Sequence, residues 1–143
     1  MTTATPIIKE VMINAPVEKV WKAITDKEDM QQWYFSLAEF RPEVGFQFTF
    51  TGGDENVQFV HICRITEVVP MKKLSYTWQY EVLPGAVSVV TFELFEEEGG
   101  TRVRLTHTGT EQFKTDNPMF ARESFTAGWN EIIGSNLKAF AER

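Results

Sequence analysis

The sequence lacks the features that mark several classes of protein. Its single cysteine, Cys63, cannot form an internal disulfide, which favours a reducing compartment such as the cytoplasm. No segment approaches the ~20 apolar residues that a membrane-spanning helix needs. The first residues carry neither the basic nor the apolar region of a secretory signal. We therefore expect a cytoplasmic protein with no membrane partner.

Basic residues are also few. The chain has 14 Lys and Arg against 20 Asp and Glu, which gives a formal net charge of -6. No basic cluster offsets this charge, since Lys72 and Lys73 are only a pair. An acidic surface repels the phosphates of nucleic acids and anionic lipids. We therefore expect no nucleic-acid partner.

The familiar motifs of catalysis and cofactor binding are missing as well. The sequence shows no glycine-rich phosphate loop, nucleophile elbow, zinc signature or readable pair of catalytic carboxylates. His61 and Cys63 would share one face of a strand, but such neighbours lie about 7 Å apart, too far for a catalytic hydrogen bond. His107 would be a third metal ligand, yet no carboxylate falls on an inward position near it. We expect neither a cofactor nor a metal, and we assign no catalytic residue.

Apolar and aromatic residues are plentiful. They make up 43% and 13% of the 143 residues, which suits one folded domain over residues 1–143. Residues 7–13 are predicted to be a strand, and Pro16 to occupy the first position of a short helix. Thr25 and Glu28 have the spacing of a capping box, which predicts a second short helix carrying Met30 and Trp33. The first helix would carry an apolar stripe of Val17, Val20, Trp21 and Ile24.

The remainder of the chain predicts a sheet and one long helix. Apolar and polar residues alternate over 46–51, 74–81, 90–95 and 102–107, which is typical of an antiparallel sheet with one face covered. The one long helical pattern spans 118–141, with Asn117 as its cap. Its apolar stripe is Phe125, Trp129, Ile132, Ile133, Leu137 and Phe140. We predict an α+β fold in which a curved antiparallel sheet of six or seven strands wraps around this helix, with two short helices after the first strand.

Several short segments over nearly the whole chain carry a family resemblance. They are residues 14–21, 25–26, 33, 67–70, 74–78, 105–109 and 128–129. These segments resemble the START-like (SRPBCC) superfamily of birch-pollen-allergen-like helix-grip proteins. Within it they are most similar to the branch that includes the C-terminal domain of the activator of heat-shock-protein-90 ATPase. The resemblance implies the helix-grip fold and an internal pocket.

The covered face of the sheet would hold more large rings than a core of this size needs. A solid core is one interpretation; a ring-lined hydrophobic cavity between sheet and helix is the other, and the resemblance favours it. His61 and His107 would either contact a ligand or remain neutral imidazoles bonded within the core. The predicted ligand-binding residues are Trp33, Phe35, Phe48, His61, Tyr76, Trp78, Phe92, His107, Phe125 and Trp129.

Three functions fit these observations. The first is a binding module, without catalysis, for a small apolar or aromatic molecule. The second is a polyketide-cyclase-like enzyme in which His107, His61 or Tyr76 moves protons. The third is an interaction domain similar to the chaperone activator, with a protein partner or a homodimer. The eukaryotic activator has an additional N-terminal domain, whereas six residues precede the first strand here. This difference counts against chaperone activation, and the binding module is the function we predict.

Overall fold

The computed structural model describes residues 6–34, 37, 39–53, 58–113 and 120–143. Within these residues six antiparallel strands form one curved, open sheet: β1 (Ile7–Ile13), β2 (Gln47–Gly53), β3 (Gln58–Val69), β4 (Lys73–Tyr80), β5 (Ser88–Glu97) and β6 (Gly100–Thr108). Their order across the sheet is β1-β6-β5-β4-β3-β2. The first strand therefore pairs with the last, and both the predicted sheet and the predicted strand over residues 7–13 are confirmed.

Alternation along the strands gives the sheet an apolar inner face. Tyr76 of β4 pairs with Val90 of β5, and Val90 pairs with His107 of β6, so these side chains share that face. The inner residues of these three strands are buried: Leu74, Tyr76, Trp78, Tyr80, Val90, Phe92, Leu94, Val103, Leu105 and His107. The core lies between this face and the helices.

Two short helices follow β1, namely α1 (Val17–Thr25) and α2 (Lys27–Trp33). The predicted apolar stripe of α1 is buried, but both predicted caps are wrong by one residue. Pro16 precedes α1 in an extended conformation instead of beginning it. The Thr25 hydroxyl donates to the Trp21 carbonyl oxygen at 2.7 Å, inside α1. Asp26 caps α2 instead, because its carboxylate accepts a hydrogen bond from the Asp29 backbone N–H at 3.1 Å.

The C-terminal helix, residues 122–141, lies against the sheet in three segments: α3 (Arg122–Glu131), a π-helical turn (Ile132–Leu137) and α4 (Lys138–Ala141). It begins four residues later than predicted. Ala121 is extended and caps it, while the buried ring of Phe120 packs 4.6 Å from Tyr80 and so holds the chain outside the helix. The predicted Asn117 cap lies outside the described residues.

The π-helical turn follows from the spacing of the buried residues. These residues recur at strict intervals of four: Phe125, Trp129, Ile133, Leu137 and Ala141. An α-helix has 3.6 residues per turn, so such a stripe drifts by about 40° at each step. A π-helical turn is wider, with i→i+5 hydrogen bonds, and offsets part of this drift. The turn keeps Ile133 and Leu137 directed at the sheet.

The outer face of the sheet carries a network of charges. Glu10 of β1 accepts from Arg102 and Arg104 of β6, at 2.8 and 2.7 Å, and Arg102 also donates to Glu97 at 2.7 Å. The hydrogen bond from Arg104 is the main cause that holds the pKa of Glu10 below its usual value. Both guanidinium groups lie over the Phe95 ring, at 4.4 and 5.1 Å. All of these groups remain in contact with solvent.

Candidate functional site

Trp78, on the inner face of β4, occupies the centre of the ring-lined interior. Its side chain is 4% exposed. Rings from β2, β3, β6 and α3 surround it, with centroid distances of 5.6 Å to Phe50, 5.0 Å to His61, 5.6 Å to His107 and 5.4 Å to Trp129. These four rings are inclined to the indole by 61–80°, the edge-to-face arrangement that aromatic pairs favour.

A hydrogen-bonded relay joins the sheet to the C-terminal helix beside Trp78. The Trp129 indole N–H donates to His107 Nδ1 at 3.0 Å, so the ring proton of a neutral His107 lies on Nε2. His107 Nε2 donates to Ser88 Oγ at 2.7 Å, and Ser88 donates to the Trp78 carbonyl oxygen at 3.1 Å. Both ring nitrogens of His107 therefore have protein partners. Burial lowers the pKa of His107 to about 3, so the relay is uncharged at neutral pH.

Glycine at position 109 brings β5 and β6 together at this relay. Its φ is 87°, in the left-handed region, and it ends β6 two residues after His107. A side chain there would place its Cβ 3.2 Å from the Ser88 Cα. Glycine meets both requirements at no steric cost, so the close approach of Ser88 to His107 depends on it.

His61 lies on the other side of Trp78. Its ring stacks on Phe50 at 4.5 Å with an interplanar angle of 13°, and its Nδ1 donates to the Phe59 carbonyl oxygen at 2.9 Å. Burial lowers the pKa of His61 to about 4, although the carbonyl oxygens of Phe59 and Phe50 oppose this shift. Cys63 is also buried, and burial raises the pKa of its thiol well above the usual value. Neither side chain is ionised at neutral pH.

A pair of tyrosine hydroxyls forms a further polar point in this interior. Tyr34 follows α2 directly, and its hydroxyl lies 2.8 Å from that of Tyr76. Burial raises the pKa of both hydroxyls well above the usual value. The Tyr34 ring contacts Trp33 at 5.0 Å and Phe50 at 5.8 Å, so this pair connects the end of α2 to the sheet.

One buried donor stands apart. Among the buried side-chain nitrogen and oxygen atoms of the described residues, Trp78 Nε1 alone has no hydrogen-bond partner. The Trp78 side chain interacts with the Tyr80 hydroxyl and opposes the rise in the pKa of Tyr80 that burial causes. Even so, the hydroxyl and the indole N–H do not meet the geometry of a hydrogen bond. Buried donors are paired in the great majority of cases, so this N–H is an exception among the buried polar atoms that the structure describes.

The predicted site residues that the structure describes form one connected set of rings. Phe48 lies 5.1 Å from Tyr76, Tyr76 lies 6.2 Å from Phe92, and Phe92 lies 6.3 Å from Trp129. His107 connects Trp129 to Phe125, which is 5.1 Å away. Trp33 lies at the margin, with its indole N–H donated to the Ala23 carbonyl oxygen at 2.8 Å. The remaining predicted residue, Phe35, lies outside the described residues.

Several residues of this interior, among them Phe50, Tyr80, Ser88 and Tyr34, were absent from the predicted site residues. Ser88 begins β5 two residues before Val90, so alternation was a usable signal for its inward direction. Tyr34 carried no such signal, because it lies after the last residue of α2 with φ -113° and ψ -117°. Neither a helical nor a strand period applies to such a residue.

No three His, Cys, Asp or Glu side chains among the described residues are placed to hold a metal ion. None of the helices that the structure describes is long and apolar enough to cross a membrane.

Solved structures of similar fold cover almost the whole chain. A Bacillus halodurans protein solved in solution is 30% identical over 99% of this chain and 100% of its own, with a TM-score of 0.77. A Mesorhizobium loti protein is 29% identical over 95% of this chain and 96% of its own, with a TM-score of 0.76. The Aha1 dimer from Colwellia psychrerythraea is 21% identical over 97% of each chain, with a TM-score of 0.72, which shows a shared fold. No curated protein matches the chain.

A family model assigns the chain to a protein family. The model described as activator of Hsp90 ATPase homolog 1-like protein matches residues 14–142. This range includes both short helices, strands β2 to β6 and the C-terminal helix. The chain thus belongs to the activator of Hsp90 ATPase homolog 1-like family, within the START-like (SRPBCC) superfamily.

Proposed function

We propose that this protein is a binding module that holds a small apolar or aromatic molecule between the inner face of the sheet and the C-terminal helix. The observation that carries the proposal is the buried, unpartnered indole N–H of Trp78. Leaving a buried donor unsatisfied costs about 1–3 kcal/mol. A solid core would be expected to avoid this cost, whereas a bound molecule supplies the missing acceptor. Membership of a family with a ligand-binding fold supports the same function.

The proposed contact residues divide by chemistry. Rings form the walls, and the few polar groups lie among them, an arrangement typical of small-molecule sites. His61, His107 and Tyr76 are the polar members. The other members are Trp33, Phe35, Phe48, Trp78, Phe92, Phe125 and Trp129.

The proposal is for binding without catalysis. A polyketide-cyclase-like reaction needs a side chain that takes up or delivers a proton within reach of its substrate. His107 has both ring nitrogens bonded to Trp129 and Ser88. Its ring proton and its lone pair are therefore both engaged within the protein, and its lowered pKa makes it a weak base. These contacts favour a carrier over a cyclase.

Native mass spectrometry of the protein purified from its own host tests this function. We expect a retained small molecule, released unchanged on unfolding. A retained molecule that the protein converts on incubation would favour the enzyme instead. In parallel, titration with aromatic molecules is expected to change intrinsic fluorescence, because Trp78 and Trp129 line the proposed site. The absence of both a retained molecule and any saturable binder would favour a solid core.

A homodimer is a secondary part of the proposal. The Colwellia psychrerythraea relative was solved as a dimer, and an open sheet leaves β1 and β2 at its edges. Analytical ultracentrifugation over a range of protein concentrations tests the proposal. A single monomeric species at all concentrations would exclude a homodimer.

A further inference from the structure

We infer that the ligand is an uncharged aromatic molecule whose oxygen accepts a hydrogen bond from Trp78 Nε1. This inference rests on the proposed function and gives it a chemical class. Two observations carry it: the unpaired group of Trp78 is a donor, and the side chains around it are uncharged.

The acceptor follows from the chemistry of the indole. A Trp side chain has one N–H and accepts no conventional hydrogen bond. Trp78 Nε1 is buried and without a partner, while the other two indoles with recorded bonds donate to protein atoms, Trp33 to Ala23 and Trp129 to His107. Only an acceptor can satisfy Trp78. A carbonyl oxygen is the simplest such group on a flat molecule.

The absence of charge follows from the composition of the described interior. Besides Ser75, which lies on the outer face, the buried polar residues that the structure describes are His61, Ser88, Thr101, His107 and Thr110, and none of them is Asp, Glu, Lys or Arg. A buried charge without a counter-charge is strongly disfavoured. The two imidazoles cannot supply a cation near pH 7, because burial lowers their pKa values to about 4 and about 3. A carboxylate ligand would therefore meet no positive partner among these residues.

The aromatic character follows from the walls of the site. The groups nearest Trp78 are the rings of Phe50, His61, His107 and Trp129, all tilted against it. Tilted rings present both edges and faces to a flat ligand, and both the edge-to-face and the stacked arrangement stabilise a pair of aromatic rings. A saturated chain would bury area against these rings without this additional gain.

Three probes of similar size test the acceptor and the charge separately. Benzophenone has a carbonyl between two rings, diphenylmethane lacks the carbonyl, and diphenylacetate carries a negative charge. We expect benzophenone to bind roughly tenfold more tightly than diphenylmethane, the effect of one buried hydrogen bond. Diphenylacetate is expected to bind more weakly than both at pH 7. Isothermal titration calorimetry on the whole chain provides the three affinities.

Two variants assign the preference to the indole N–H. Trp78→Phe keeps a ring and removes the donor, so benzophenone and diphenylmethane should bind it equally. Because this change removes an unsatisfied group, the variant is expected to fold. Trp21→Phe, on α1 and outside the proposed contact residues, should keep the tenfold preference.

Each outcome decides a separate statement. Equal affinity of the wild-type chain for benzophenone and diphenylmethane would contradict the inference that the ligand accepts a hydrogen bond, while leaving the proposed binding function in place. If diphenylacetate bound as tightly as the two uncharged probes or more tightly, the inference that the ligand is uncharged would be wrong. A tenfold preference that survives Trp78→Phe would overturn the role of this indole. No binding of any probe would count against the proposed function itself.

Discussion

The two faces of the sheet carry different kinds of side chain on the same strands: charged on the outer face and neutral on the inner face. Along β6, Arg102 and Arg104 point outward and pair with Glu10, while His107 points inward and bonds to Ser88 and Trp129. The outer groups are charged and exposed, so water supports them when a partner is lost. The inner groups are neutral and shielded from water, so each one depends on its protein partner.

The two faces also differ in what the loss of a single contact costs. On the outer face an ion pair contributes little, because solvent and salt weaken it. On the inner face a single unpaired donor, Trp78 Nε1, costs about 1–3 kcal/mol, because no water replaces the missing partner.

Removing the Trp129 side chain should cause the largest loss of stability. Trp129→Ala deletes a buried ring and leaves His107 Nδ1 without its donor. Substitutions of this type in a core cost about 3–5 kcal/mol. Urea unfolding provides the measurement. Asn130→Ala, at the exposed neighbouring position of the same helix, should change the free energy of unfolding little. Equal losses from both variants would show that the helix does not cover the sheet as described.

Acidification should weaken the inner face before it affects the outer face. Burial lowers the folded-state pKa values of His107 and His61 to about 3 and about 4, below the ordinary value of 6.5. The unfolded chain therefore binds protons first, and stability that is complete above about pH 6.5 falls as the pH falls. Each imidazole contributes up to about 1.4 kcal/mol per pH unit. Glu10, whose pKa is lowered by Arg104, loses its contribution only at more acidic pH.

Proton NMR of the imidazole rings, combined with urea unfolding at several pH values, checks this behaviour. In the folded protein the ring signals of both histidines should stay constant between pH 8 and pH 5, while stability decreases over the lower part of that range. A histidine signal that titrates near pH 6.5 would show that its ring is open to water.

Ser88→Ala should have an intermediate effect. It removes the acceptor of the His107 Nε2–H and leaves that N–H buried, which costs about 1–3 kcal/mol. The matched change on the outer face is Ser75→Ala, which removes a bond to the Thr91 hydroxyl. Thr91 is only partly buried, so water can replace the lost partner and the loss should be smaller. The opposite ranking in urea unfolding would contradict the relay.

Glu10→Gln should have the smallest effect. It weakens the bonds to Arg102 and Arg104 at positions open to solvent. We expect a slight decrease in melting temperature at low ionic strength and none in high salt, because salt screens exposed pairs. A large decrease that persists in high salt would mean that the outer network is a structural element equal to the inner relay.

The sequence predicted the fold well because its signals are local. Alternation in β6 and in its neighbours placed inward and outward residues correctly, and the apolar stripe of α1 was visible over eight residues. The π-helical turn was missed, although the strict spacing of four from Phe125 to Ala141 contained the signal. The start of the C-terminal helix was wrong because packing of the Phe120 ring, a tertiary effect, decided it.

The site was predicted less completely because its bonds cross the molecule. His107 was identified as a polar inward residue, but its partners lie 19 and 22 positions away on β5 and α3. A periodic pattern indicates the face on which a side chain lies and not the atom to which it bonds. The same limit applies to Tyr34, whose partner Tyr76 is 42 positions away, and to the missing partner of Trp78.

The proposed role of Trp78 Nε1 is to donate a hydrogen bond to an acceptor on a bound molecule. The most direct measurement is a proton–nitrogen NMR correlation of the indole N–H groups during titration with benzophenone. We predict that the Trp78 indole signal moves and saturates, while the Trp33 signal, already bonded to Ala23, keeps its position. A Trp78 signal that stays unchanged while benzophenone binds would contradict this claim.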